Sequence, residues 1–145
     1  MSAGIMRQRA LAAARDWIGT PYRHRASAIG AGADCLGLVR GVWRALYGAE
    51  PEALPVYGPL WAELAGGEAL QAALARHLTP LALEEAEAGD VMLFRFRAHL
   101  PAKHAAVLSG GDRMVHAYGG RAVAETPMGA WRRRRAFAFR FPEKD

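Results

Sequence analysis

The pattern of apolar residues changes at residues 88–90, and this change limits the possible folds more than any other feature of the sequence. Before this point, apolar side chains recur at helical spacing, whereas after it the chain is a series of short β-prone runs between turn residues. Helices followed by strands predict an α+β domain with N-terminal helices packed on a central antiparallel sheet. A chain of 145 residues has the usual size of one domain, so residues 1–145 are assigned to a single domain.

Helices are predicted before the change at residues 6–18, 35–47 and 67–78. The first ends at residues 19–21 (Gly-Thr-Pro), where a glycine and a proline stop the helix. The second begins at Cys35, with Asp34 as its N-cap and Gly48 as its stop, and follows a loop rich in glycine and alanine. The many prolines and glycines of residues 50–66 predict an irregular connector.

Strands are predicted after the change at residues 91–97, 104–109, 113–118, 121–126 and 136–141. Residues 110–112 (Gly-Gly-Asp) predict a hairpin turn between the second and third of these strands. If Ser109 pairs with Arg113, His104 and His116 project from the same face as diagonal neighbours, with Cβ atoms roughly 7–8 Å apart. A two-residue loop would instead place the two histidines on opposite faces.

The N-terminal segment carries Arg7, Arg9 and Arg15 within its apolar stretch, so it lacks the hydrophobic block of a secretory signal. No stretch reaches the roughly 18 consecutive apolar residues that a membrane span needs. We therefore expect synthesis in the cytoplasm without a signal peptide. The net charge of +5 favours encounters with polyanions, but charge alone does not choose between a cell wall and a nucleic acid.

A basic run, Arg132, Arg133, Arg134 and Arg135, opens the last predicted strand. Such runs are usually solvated faces, and this one lacks the interleaved aromatic residues of proteins that bind single-stranded nucleic acids. No specific nucleic-acid partner is therefore predicted. Attraction to an anionic wall or to a neighbouring protein is the more economical hypothesis for this run.

Cys35 is the only cysteine, so the chain forms no intrachain disulfide, and the thiol is either a small core residue or a reactive group. Its place at a helix N-terminus predicts a lowered thiol pKa. A nucleophilic thiol also needs an imidazole base and a group that orients that base, which His104 and His116 would supply. A core cysteine and a surface pair of histidines are the structural alternatives. A zinc site from these three residues is disfavoured because no close-spaced ligand pair accompanies them.

Two blocks of the sequence resemble the NlpC-type cysteine peptidases. The first is GTPYRHRASAIGAGADCLGLV (19–39), and the second is GDVMLFRFRAHLPAKHAAVLSGGDRMVHAYGG (89–120). The spacing of twelve residues between His104 and His116 is also similar to that family's. The segments DCLGLVRGVWRALYG, PAKHAAVLS and WRRRRAFAFRFPE resemble the subgroup found in phage tails and phage-like gene transfer agents.

This resemblance implies a papain-like fold and hydrolysis of amide bonds in peptidoglycan stem peptides, commonly the bond between D-glutamate and the following diamino acid. By position, Cys35 is the nucleophile, His104 the base and His116 the orienting residue. Tyr22 would help to shape the oxyanion pocket with the Cys35 amide, and Asp34 would bind substrate or serve only as a cap. No metal or cofactor is implied.

The resemblance also implies partners and a location: peptidoglycan stem peptides, tail proteins, and delivery by a phage-like particle to the periplasmic cell wall. One departure is Leu36, which stands where the wider family has serine, so the stem-peptide specificity stays open. A tail-assembly subunit without activity, and an amidase or acyltransferase using the same residues, are the alternative functions. Whether His24 or His99 contacts substrate is open as well.

Overall fold

The computed structural model describes residues 3–51 and 68–143. Its elements are α1 (Ala3–Arg15), β1 (Ser27–Ala28), β2 (Gly32–Ala33), α2 (Cys35–Tyr47), α3 (Ala69–Ala75), β3 (Thr79–Leu81), β4 (Val91–Arg95), β5 (Ala102–Gly110), β6 (Arg113–His116), β7 (Ala124–Pro127) and β8 (Arg135–Arg140). Short 3₁₀ helices occupy Leu83–Glu85 and Gly129–Arg134. Within these two ranges, no helix has the length and apolar character needed to cross a membrane.

Six strands form one antiparallel sheet in the order β3-β8-β4-β5-β6-β7, while β1 and β2 form a separate small hairpin. Helices α1 and α2 pack on one face of the large sheet, where Val91, Leu93 and Val107 join them in the larger core. The opposite face carries a smaller core that includes Met92 and Phe94. The predicted α+β class, with helices on an antiparallel sheet, is confirmed.

The second helix begins where the sequence predicts. The Asp34 side chain accepts a hydrogen bond of 2.7 Å from the Gly37 amide, which satisfies one of the free N–H groups of the first turn. Gly48 ends the helix with a φ of 91°, a conformation that costs glycine little. Its apolar residues Leu38, Val39, Val42 and Leu46 are buried, with Leu38 fully enclosed. Local sequence signals therefore fix the position of Cys35 as the first residue of α2.

The hairpin of β5 and β6 has the predicted register next to its turn. Leu108 pairs with Met114, as expected if Ser109 lay opposite Arg113. Opposed residues in an antiparallel pair share a face, so this register directs His104 and His116 to the same side of the sheet. That side is the one away from α1 and α2.

The turn that produces this register has a different structure from the one predicted. Gly110, not Ser109, pairs with Arg113, so the loop contains only two residues. Gly111 and Asp112 both have positive φ, 59° and 60°, as a two-residue hairpin turn requires. The register shifts between Leu108 and Gly110, which leaves Ser109 as the extra residue of a β-bulge. The bulge restores the alternation that a two-residue loop alone would reverse.

Several predicted boundaries differ from the observed ones. α1 ends at Arg15 rather than Ile18, because the backbone tightens into 3₁₀-type hydrogen bonds such as Trp17 N to Ala14 O, and Ile18 is 46% exposed. α3 is shorter than predicted, and the strand predicted at 121–126 is Ala124–Pro127. Helix and strand ends depend on tertiary hydrogen bonds, which periodicity does not contain.

Three short strands were missed, and the basic run was assigned wrongly to the start of a strand. β3 contains Pro80, which hides a short strand at the sheet edge from propensity rules. β1 and β2 lie within the loop predicted before Cys35. Three residues of the basic run, 132–134, form the second half of a 3₁₀ helix, and only Arg135 belongs to β8. The connector predicted at 50–66 lies almost wholly outside the described residues.

Gly37 allows α2 to approach the loop that precedes it. A Cβ atom at this position would lie 1.8 Å from the Ala26 carbonyl oxygen, which is backbone and cannot swing away. We expect Gly37→Ala to lower the free energy of unfolding by about 1–3 kcal/mol, the usual effect of overpacking, when measured by urea denaturation. Gly32→Ala is a milder comparison, because the two nearest atoms that its Cβ would meet, Arg23 Cδ and Cγ, belong to the part of a side chain that can turn away. Equal losses in the two variants would contradict this explanation.

Candidate active site

Cys35 is half-buried at the N-terminus of α2, with its sulfur against the backbone on either side of His104. The thiol donates to the Lys103 carbonyl oxygen over 3.8 Å, and the Ala105 amide donates to the sulfur. Helix α2 packs directly on β5, so the helix start and the strand are held together by the larger core. The structure therefore places the Cys35 sulfur against the main chain that flanks His104.

The two histidines form a direct hydrogen bond. His104 Nε2 lies 2.9 Å from His116 Nδ1, and both side chains are buried, with 2% and 8% of their surface exposed. The far nitrogen of His116, Nε2, lies 3.0 Å from the hydroxyl oxygen of Thr126 on β7. A chain of polar groups thus runs across three adjacent strands, from His104 on β5 through His116 on β6 to Thr126.

This geometry determines which nitrogen of His104 can act as a base. Because Nε2 is engaged by His116, Nδ1 is the nitrogen left to take a proton from a thiol. Nδ1 can accept that proton only when the ring's own hydrogen is on Nε2 and is donated to His116 Nδ1. His116 then carries its hydrogen on Nε2 and donates it to the Thr126 oxygen. In this arrangement the Thr126 hydroxyl accepts; a hydroxyl that donated to His116 Nε2 would satisfy the same contacts with the opposite tautomer of both rings.

Aromatic rings enclose His104, and the sequence did not predict them as part of the site. Trp131 stacks on the imidazole, with ring centroids 4.5 Å apart and planes at 27°. Tyr118, Phe94 and Phe96 approach it at 5.4, 5.9 and 6.2 Å. These rings pack against the imidazole and hold its plane. A signal existed only for Phe94 and Tyr118, which share the register and face of the histidines.

The remaining predicted site residues lie beside the thiol. Tyr22 is half-buried and forms an isolated bridge with Ala33. Burial raises the pKa of its hydroxyl, with further contributions from Asp34 and Cys35 nearby. Asp34 is 4% exposed, and both its oxygens accept backbone hydrogen bonds, from Gly37 at 2.7 Å and from Arg25 at 2.6 Å. The bond from Gly37 makes Asp34 the N-cap of α2, and the bond from Arg25 holds the preceding loop.

Other polar residues considered from the sequence have separate positions. His24 Nδ1 lies 3.8 Å from the Asp34 carboxylate, next to the site, whereas His99 is exposed in a loop. Asp90 is fully buried and forms an ion pair with Arg140, so its contacts are structural. Among residues 3–51 and 68–143, no group of three or more His, Cys, Asp or Glu side chains is placed to hold a metal ion.

The residues of this site fall within a recognised domain family. The model of the NlpC/P60 family matches residues 19–140, which include Cys35 and both histidines. The chain belongs to the NlpC/P60 family. No curated protein sequence gave a significant match. The family assignment therefore rests on the match of the family model to residues 19–140.

Solved structures of NlpC/P60 proteins have the same fold. The domain of the peptidoglycan hydrolase SagA is 24% identical, with a TM-score of 0.63, and the alignment covers 92% of this chain and 97% of that one. The peptidoglycan hydrolase RipB from Mycobacterium tuberculosis is 19% identical, with a TM-score of 0.62 and coverages of 98% and 67%. A lipoprotein-like protein of Staphylococcus aureus is 21% identical, with a TM-score of 0.65. The alignment to it covers 97% of this chain but only 42% of that protein.

Burial decides the charge state of this NlpC/P60 site. It raises the pKa of the Cys35 thiol to about 12, with a further rise from the Asp34 carboxylate, and three backbone amides oppose this only partly. Burial also lowers the pKa of His104 to about 3, with a smaller contribution from His116. The pKa of His116 is lowered by burial as well. The lowered thiol pKa predicted from the helix N-terminus is therefore wrong, because desolvation outweighs the helix effect.

The resting NlpC/P60 site consequently holds a neutral thiol and a neutral imidazole. An acid with a raised pKa stays protonated up to that pKa, so the thiolate fraction of Cys35 should grow about tenfold per pH unit through neutral and moderately alkaline pH. We expect the rate of iodoacetamide alkylation, followed by mass spectrometry, to rise without a plateau between about pH 6 and pH 10. A short peptide with one solvated cysteine is the control, and its alkylation rate should level off above the ordinary thiol pKa of about 8.5. A plateau at neutral pH would reveal a thiolate–imidazolium pair instead.

Proposed function

We propose that this NlpC/P60 domain is a cysteine peptidase that hydrolyses amide bonds in peptidoglycan stem peptides. The observation that carries the proposal is the contact of the Cys35 sulfur with the backbone flanking His104, whose ring is hydrogen-bonded to His116. A thiol, an imidazole and an orienting group are the parts that acyl transfer through a covalent intermediate requires. SagA and RipB, which share the fold, are described as peptidoglycan hydrolases.

The reaction begins with the proton of the Cys35 thiol passing to His104 Nδ1 while the sulfur attacks the substrate carbonyl. A neutral resting pair makes this transfer part of the attack rather than a step that precedes it. The developing oxyanion is stabilised by the Cys35 amide at the start of α2, with Tyr22 beside it. His104 then protonates the leaving amine, and water activated by the same nitrogen hydrolyses the thioester.

The finer assignment concerns the bond and the biological setting. The bond proposed is that between D-glutamate and the diamino acid, and the setting is a phage-like tail or gene transfer agent that carries the protein to the periplasmic cell wall. Support for both comes from the sequence segments around Cys35, His104 and the C-terminal Trp131. Leu36 in place of serine removes a hydroxyl next to the nucleophile, so substrate preference within the stem peptide is the property most open to change.

Digestion of purified sacculi tests this function. We expect the wild-type protein to release soluble fragments with a new free amino group on the diamino acid and a new carboxyl on D-glutamate, identified by mass spectrometry. Cys35→Ala is the matched blank, because it removes the sulfur and leaves α2 capped by Asp34. Fragments cut at another amide would show that the enzyme cleaves a different bond from the one proposed. If the wild-type protein released no more fragments than Cys35→Ala, a structural tail subunit would be favoured.

A further inference from the structure

The polar chain at the active site does not end at His116. Its Nε2 atom lies 3.0 Å from the Thr126 hydroxyl oxygen, a normal hydrogen-bond distance, and His116 is 8% exposed. Thr126 is half-buried and belongs to β7, a strand that holds none of the three predicted catalytic residues. A buried ring nitrogen needs a partner, and Thr126 is the partner that the structure provides.

We propose that Thr126 is a positioning residue that sets the tautomer of His116 and, through it, the basic nitrogen of His104. The proposal rests on the proposed peptidase function and extends its site to a fourth residue. In the proposed arrangement the hydroxyl accepts the Nε2 hydrogen of His116, which leaves His116 Nδ1 as an acceptor for His104. A hydroxyl that donated to Nε2 would require the opposite tautomer of His116. The opposite tautomer of His116 would donate to His104 Nε2 and place the His104 hydrogen on Nδ1. His104 could not then take the proton of Cys35.

The fold holds Thr126 firmly in this position. Strand β7 pairs with β6 in a regular register, in which Met114 lies opposite Thr126 and His116 lies opposite Ala124. Thr126 and His116 are therefore diagonal neighbours on one face. The adjacent Glu125 points to the other face and forms a two-pronged ion pair with Arg15 of α1, at 3.0 and 2.9 Å. This ion pair ties β7 to the helix layer and limits its movement away from His116.

Two substitutions separate the hydroxyl from the shape of the side chain. Thr126→Val keeps the branched shape and removes the hydroxyl, whereas Thr126→Ser keeps the hydroxyl. With a muropeptide substrate, we expect kcat of the Val variant to fall about tenfold, the usual effect of one lost hydrogen bond, with KM changed by less than about twofold. The Ser variant should keep kcat within about twofold of the wild type. Equal kcat values in all three proteins, or equal losses in Val and Ser, would overturn the proposal.

Nitrogen-15 NMR of the imidazole rings gives a readout that does not depend on turnover. In the wild type, we expect the hydrogen of His116 on Nε2, and in Thr126→Val we expect a mixture of tautomers. A wild-type His116 with its hydrogen on Nδ1 would overturn the proposal even if activity were normal. If the wild type cleaves no muropeptide, the peptidase function fails, and the NMR result still decides whether Thr126 sets the tautomer.

Discussion

Removing the sulfur of Cys35 should lower kcat/KM for muropeptide hydrolysis by at least about 10⁴-fold, because Cys35 is the only cysteine in the sequence and supplies the thiol that forms the acyl intermediate. The thiol lies at the start of α2 in contact with the backbone on both sides of His104, so alanine removes the nucleophile without leaving a large cavity. The measurement is a progress curve on a purified muropeptide, followed by chromatography. Circular dichroism and urea denaturation of Cys35→Ala should match those of the wild type.

His104→Ala should have an effect of similar size, and the double variant should be no slower than either single variant. Residues that act as one unit show this lack of additivity, since the second loss removes nothing that still functions. His77→Ala is the matched control, because His77 packs near Trp43 and lies between α3 and β3 rather than on the strands that carry His104 and His116. If the fold-loss in kcat/KM of the double variant equalled the product of the two single losses, Cys35 and His104 would act independently, contrary to the proposed mechanism.

The largest expected effect on stability comes from Asp90, which lies at the start of β4 and is 0% exposed. Its two oxygens accept hydrogen bonds from Arg140 on β8, at 3.0 and 2.8 Å, and from the Glu87 amide at 2.8 Å. Asp90→Ala leaves the Arg140 guanidinium and that amide without these partners. We expect the free energy of unfolding to fall by about 3 kcal/mol, measured by urea denaturation.

Glu87 offers a matched control for this effect. Its carboxylate also contacts Arg140, at 3.3 Å, but its side chain is 59% exposed. An exposed ion pair contributes little, so Glu87→Ala should change the free energy of unfolding by less than about 1 kcal/mol. If Asp90→Ala were as mild as Glu87→Ala, the buried ion pair would not hold β4 to β8 as we argue.

The sequence anticipated much of the fold because several signals were local. The N-cap Asp34 and the stop Gly48 fixed α2, and the glycines after Ser109 fixed the hairpin turn. The two-residue loop would have separated the histidines, and only the bulge at Ser109 kept them on one face. That bulge could not be read from residue types, because it depends on how β5 twists against its neighbours.

The sequence by itself determined the order of the main helices and strands, the helix that begins at Cys35 and the place of the turn between β5 and β6, but not the bulge that keeps His104 and His116 on one side. These depend on caps, turns and residue spacing, which act over a few positions. Only the tertiary structure decided that β8 inserts between β3 and β4, that Trp131 stacks on His104 and that Thr126 meets His116. It also reversed the expected pKa shift of the thiol. Pairing between distant strands and the exclusion of water are properties of the packed chain, and no local pattern encodes them.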